Sequence, residues 1–125
     1  MNPVIHFELH SPNLEKSLEF FRTVMGWELN AWGGPHEYWL AKSHQPGSPG
    51  SPGIDGGMMR SPDADSRTVN TIQVSSVDDY VAKIVAAGGE IVVPKMAIPG
   101  VGYVAYGKDP AGVLFGIMHP DSSAK

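Results

Sequence analysis

His6, Glu8 and His10 alternate with Phe7 and Leu9 near the start of the chain. Imidazole and carboxylate are metal-ligand types, and a carboxylate beside imidazoles is also an arrangement for general-base work. Spacing separates the two chemistries. Val4 to His10 alternates and is rich in strand formers, so it reads as a strand with His6, Glu8 and His10 on one face. At ~3.3 Å per residue, His6 and His10 lie about 13 Å apart along the backbone. Metal–nitrogen bonds are about 2 Å long, so two of the three side chains at most would reach one ion, and the rest of a site would have to come from another strand. The H-E-x-x-H pattern of zinc proteases works because a helix brings i and i+4 together. A strand does the opposite. The face is read as polar and ligand-facing, with no metal, and Glu8 is the candidate base if burial raises its pKa.

Other chemistry is sparse. The chain has no cysteine, which excludes disulfides, thiolate metal sites and a Cys nucleophile. "WGGPH" and "PGSPGSPG" match no phosphate-cradling fingerprint, and no serine sits in an elbow motif. Tyr38, Trp39, Tyr103 and Tyr106 fall on expected strands, where aromatics stack a flat ligand or fill a core. Met58, Met59, Met96 and Met118 read as core or adaptable pocket lining. His36, His44 and His119 sit in or beside expected loops and are assigned no role.

The elements that must position these residues follow from periodicity. After the first strand, "SPNLEKSLEFFRTVMGW" carries Leu14, Leu18, Phe21 and Met25 on one helical stripe. Ser11 is the expected cap, Pro12 the first helical residue and Gly26 the stop. Trp27 to Ala31 and Glu37 to Lys42 read as strands joined by "WGGPH". "SHQPGSPGSPG" is a flexible loop by composition, and "IDGGMMR" is a short strand. The second half repeats the order: strand "TVNTIQV", a helix in "SSVDDYVAKIVAAGG" with Ser76 and Asp79 as a capping box and Gly88 as stop, then strands in "EIVVPK", "GVGYVAYGK" and "GVLFGIMH". One constant offset superposes Leu14 on Val77, Leu18 on Val81, Phe21 on Ile84 and Gly26 on Gly89, and carries Glu8 onto Thr71 and His10 onto Gln73. Each half therefore reads β-α-β-β-β, an α+β fold of two βαβββ modules with helices outside and a concave cup.

With 125 residues the chain is a single domain, module one spanning about residues 3–60 and module two about 68–119. The formal charge of −4, with no basic run, argues against nucleic acid and anionic membranes as partners. No apolar stretch approaches the ~20 residues of a membrane span, and no basic-then-apolar signal opens the chain. A cytoplasmic protein is expected.

Three stretches carry a family resemblance: "IHFELHSPNLEKSLEFFRTVMGWEL", "IQVSSVDDYVAKIVAAGGEIV" and "GVGYVAYGKDPAGVLFGIM". The chain resembles the vicinal oxygen chelate superfamily, which includes glyoxalase I, extradiol dioxygenases, and bleomycin- and fosfomycin-resistance proteins. The D-P-x-G turn into the last strand is the most specific element. In metal-dependent members, the resemblance implies, ligands sit on the first and last strand of each module. Here those positions are His6, Gly57 or its neighbour Asp55, Val69 and Gly116. Valine and glycine offer no side-chain donor. The resulting expectation is a small-molecule-binding protein with no cofactor and no complete metal site, its ligand contacted by His6, Glu8, His10, Thr71, Gln73, Tyr38 and Tyr103. The alternative is a divalent-metal-dependent lyase or dioxygenase in which Asp55 and Glu8 or His10 rebuild a site around His6. Exposed sheet edges further suggest a homodimer.

Overall fold

The computed structural model describes residues 1–44 and 52–125. Most of the glycine- and proline-rich stretch read as a loop, residues 45–51, lies outside the described residues. The chain divides into two compact units, one formed by Ile5–Val69 and the other by Met1–Val4 with Asn70–Lys125. Ten elements follow in chain order: β1 (Val4–Ser11), α1 (Leu14–Met25), β2 (Glu28–Ala31), β3 (Trp39–Lys42), β4 (Gly56–Arg60), β5 (Arg67–Gln73), α2 (Val77–Ala86), β6 (Glu90–Ile98), β7 (Gly102–Lys108) and β8 (Leu114–Pro120).

In the first unit the strands lie side by side as β2-β3-β4-β1. β1 and β4 are parallel, with Glu8 opposite Gly57, and the other two pairings are antiparallel. The core is Leu14, Leu18, Leu29, Ala41 and Met58, with Phe7, Leu9, Phe21, Trp27 and Trp39 packed against it. Phe7 and Leu9 therefore face α1, and strand alternation turns His6, Glu8 and His10 to the opposite face. Phe21 stacks on Trp27 with 4.7 Å between ring centroids. The Arg22 guanidinium donates to the Leu29 carbonyl at 2.7 Å and lies over the Trp39 ring. Met25, expected on the buried stripe, is 54% exposed, because the stripe runs past the end of the sheet-covered segment.

The start of α1 lies later than expected: Ser11 is not the cap and Pro12 precedes the helix. Asn13 is the cap, its side chain accepting from Lys16 N–H at 3.2 Å, and Leu14 is the first helical residue. Ser11 stays in β1 because a residue before proline is held extended. Its hydroxyl accepts from Asn13 N–H and bonds Ser17 Oγ instead. Gly26 ends the helix in the left-handed conformation at φ 71°, which a glycine adopts without a Cβ clash.

The second unit repeats the architecture as β5-β8-β7-β6, with β5 parallel to β8 and Thr71 opposite Gly116. Its core is Val74, Val77, Ala105 and Ile117, with Val81, Ile84, Tyr103 and Phe115 packed against it. Ser76 caps α2 by accepting from Asp79 N–H at 3.2 Å. β6 runs beyond the expected "EIVVPK" to Ile98, carrying Pro94 inside a bulged segment. Proline is accommodated there because β6 pairs with β7 alone within this unit, leaving one side without ladder partners to serve. The Asp109 carboxylate shapes the D-P-x-G turn, accepting from Ala111 N–H at 2.9 Å and Val113 N–H at 2.8 Å.

Candidate functional site

Glu8 sits in the middle of β1 with its side chain 5% exposed, and His10 beside it is 10% exposed. The His10 Nε2 lies 3.4 Å from Glu8 Oε2, close enough for charge attraction but not aligned as a hydrogen bond. Among the described residues neither ring nitrogen of His10 has a hydrogen-bond partner. His6, two residues earlier, looks elsewhere: its Nε2 is 2.9 Å from Tyr38 Oη. Burial pushes the His6 imidazole below its ordinary pKa, opposed by the Glu8 and Asp55 carboxylates. His6 is thus held as a neutral ring at neutral pH. Of the two imidazoles that share a face, His6 is hydrogen-bonded to Tyr38, whereas His10 only lies beside Glu8.

Tyr38 is delivered by the β2–β3 connection, which is closed by Trp32 N–H donating to the Tyr38 carbonyl at 2.8 Å. Gly33 takes a positive φ of 78° in that turn. The Trp32 and Tyr38 rings meet nearly perpendicular, with 6.3 Å between centroids. The hydroxyl end of Tyr38 covers Gly57 so closely that a Cβ there would overlap both the hydroxyl and the ring. Gly57 is the position at which the family resemblance places a carboxylate ligand. A tyrosine from the β2–β3 connection fills that space here.

The remaining ligand positions have no better donors. Asp55 lies 3.1 Å from His44 Nδ1 and accepts from Ser43 N–H at 3.2 Å, so its carboxylate is already engaged at the start of β4. Val69 is fully buried. Gly116 lies opposite Thr71, and a Cβ there would come within 3.3 Å of Thr71 Oγ1 and 3.4 Å of the Tyr106 ring. Among the described residues, no three His, Asp or Glu side chains converge on a point where they would hold an ion. A catalytic divalent centre needs three or more protein ligands. The donor set does not fit one.

In the second unit Thr71 is buried and Gln73 is exposed, its backbone N–H donating to the Pro3 carbonyl. Tyr103 departs from the expected ligand-facing set. It packs on the α2 side with Val77, Ala105 and Ile117, under the Lys95 ammonium 4.6 Å from its ring. Alternation along β7 puts Tyr106 on the other face, with Thr71 and Gly116. The register of β7 with β8, in which Tyr106 opposes Gly116, was the signal that assigns the faces. His119, given no role from sequence, has one: its Nδ1 accepts from Val77 N–H at 2.9 Å and so caps the first turn of α2.

Solved structures with this arrangement of elements include methylmalonyl-CoA epimerase from Mycobacterium tuberculosis, 16% identical with a TM-score of 0.68 over 94% of this chain and 87% of that one. A hypothetical protein from Bacillus halodurans matches with a TM-score of 0.71 at 12% identity, covering 99% of this chain and 98% of that chain. The Mn(II)-bound glyoxalase from Novosphingobium aromaticivorans is 21% identical with a TM-score of 0.66, over 99% of this chain and 41% of that one. At such identities the likeness is one of fold. No curated protein sequence matches the chain. Among the described residues no helix is long and apolar enough to cross a membrane. The family model that does match spans residues 4–117, and with the paired βαβββ units it settles the family: the chain belongs to the Glyoxalase/Bleomycin resistance protein/Dioxygenase superfamily.

Proposed function

We propose that this chain is a glyoxalase-like member that holds a small organic molecule without a complete metal site. The observation that carries the reading is Tyr38, whose hydroxyl end fills the space above Gly57 and bonds His6, the one strong metal-type donor among the four family positions. In this reading the polar face of β1 presents His6, Glu8 and His10 to the ligand, with Tyr38 beside them. Glu8 is the group assigned to proton transfer. Its carboxylate is buried beside the His10 imidazole, on the same strand face as His6.

Native mass spectrometry of protein purified gently from its own host tests the reading. A stoichiometric organic adduct, retained after exhaustive chelation, is the expected result. A metal ion at one equivalent, with no organic adduct, would overturn it.

A further inference from the structure

We propose that His119 is a proton-sensitive latch between β8 and α2, closed while its imidazole is neutral and released when the ring gains a proton. The latch lies in the second unit and does not depend on what the first unit binds. Its geometry begins at Val77, the first residue of α2. A first-turn N–H has no partner inside its own helix. Val77 is fully buried, so water is shut out there. His119 Nδ1, 2.9 Å away, is the acceptor that satisfies the Val77 N–H. Ser76 serves a different group, accepting from Asp79 N–H, so neither cap substitutes for the other.

Accepting through Nδ1 fixes the ring as the neutral tautomer with its proton on Nε2. An added proton therefore goes to Nδ1. It abolishes the acceptor, sets two donors face to face and places a cation at the positive end of the helix dipole. A buried N–H is left orphaned, and separating the ring from the helix turn relieves it. The turn belongs to the core of its unit: Val77 packs with Val74, Ala105 and Ile117. Val74 N–H in turn donates to the carbonyl of Met118, the neighbour of His119. Release is thus expected to loosen α2 from its N-terminal end.

The surroundings supply a partner for the charged ring. Asp121, just past β8, interacts electrostatically with His119, and the Ser123 hydroxyl and N–H hold its carboxyl below the usual carboxylate range. Asp121 therefore stays ionised while the imidazole titrates. From β7, Tyr103 lies beside the ring with 5.2 Å between centroids. From α2, Asp78 and Asp79 stand in the first turn. Asp78 is paired with Lys95 of β6, whose ammonium also lies over Tyr103. The neutral ring is held by Val77 and the charged ring is drawn to Asp121, which gives the latch two states.

An NMR titration of the nitrogen-labelled wild-type protein from about pH 8 to about pH 5, the range in which imidazoles change charge, tests the proposal. Ring nitrogen signals report the charge of His119, and amide exchange reports Val77. Corrected for the intrinsic effect of pH, exchange at Val77 is expected to rise at least about fivefold as His119 protonates, matching the loss of a bond worth ~1 kcal/mol. Amides of β1 in the first unit are the control and are expected not to follow the His119 curve. His119→Asn, whose carbonyl accepts but does not titrate, is expected to keep Val77 protected throughout. Asp121→Asn is expected to move the transition to lower pH. Val77 protection unchanged as the His119 ring titrates, or a ring that stays neutral to the end of the titration, would overturn the latch. So would a rise in exchange that persists in His119→Asn with its melting curve intact.

Discussion

Gly57→Ala is the most informative single change, because Gly57 and Gly116 occupy equivalent places in the two units and differ in what surrounds them. Neither has a positive φ, so the added Cβ and not backbone strain decides the outcome. At Gly116 the nearest atoms, Thr71 Oγ1 at 3.3 Å and the Tyr106 ring at 3.4 Å, need to yield by only tenths of an ångström. The reduced freedom of the unfolded chain offsets that by ~0.4–1 kcal/mol, so Gly116→Ala should fall within about 1 kcal/mol of the wild type. At Gly57 the Cβ overlaps the Tyr38 hydroxyl and ring. Restoring van der Waals contact, ~3.5 Å between carbons, requires the ring to move by about 1 Å or more. That movement breaks the bond to His6, leaving a half-buried imidazole nitrogen without its partner. Overpacking of this kind costs ~1–3 kcal/mol, and an unsatisfied buried polar group ~1–3 kcal/mol. Relief by movement of the exposed β2–β3 connection keeps the total near 2–3 kcal/mol. Urea unfolding of both variants, with the His6 ring signals recorded in parallel, measures the difference. Gly57→Ala as stable as Gly116→Ala, with the His6–Tyr38 bond intact, would refute the placement of Tyr38.

Further expectations are open to similarly direct measurement. Leu18, 5% exposed in the first core, should cost ~2–5 kcal/mol when truncated to alanine, read by denaturant midpoint. His119→Ala removes the acceptor for Val77 N–H and should lower stability by about 1 kcal/mol, with faster amide exchange confined first to the start of α2. The lowered His6 pKa means the unfolded state binds more protons than the folded state below the ordinary value of 6.5. Stability should therefore decline as pH falls through that value, and His6→Gln should flatten the decline. We also propose that the protein is a homodimer through an isologous interface of more than ~1,000 Å². A single species of monomer mass in sedimentation, unchanged on concentrating, would contradict that.

What was legible in the sequence was local. The alternation of Val4 to His10, the 3.6-residue stripe of α1, the glycine at Gly26 and the D-P-x-G turn are each set by neighbours a few positions away, and these produced the strand, helix, stop and turn that the structure contains. The α1 cap moved from Ser11 to Asn13 because the effect of Pro12 on Ser11 outweighed the capping preference of serine. The features that define the site are non-local. The seat of Tyr38 on Gly57 depends on how a turn brings one strand across another, and the His119 cap on α2 joins residues far apart in the chain. Tyr103 and Tyr106 are alike in type, and β7–β8 register alone decides which of them shares a face with Thr71. Glycines at the family's ligand positions were visible as missing donors, whereas the tyrosine that takes up one of those positions was not.

The central claim is that a tyrosine hydroxyl stands where a metal-binding group would otherwise be. Thermal unfolding in the presence of excess Mn2+, Ni2+ or Zn2+, compared with unfolding after exhaustive chelation, tests it most directly. An ion present at 100 times its dissociation constant would stabilise the fold by ~2.7 kcal/mol. The account predicts coincident melting curves and no His6-dependent metal at one equivalent. A metal-dependent rise in melting temperature that His6→Ala abolishes would contradict it.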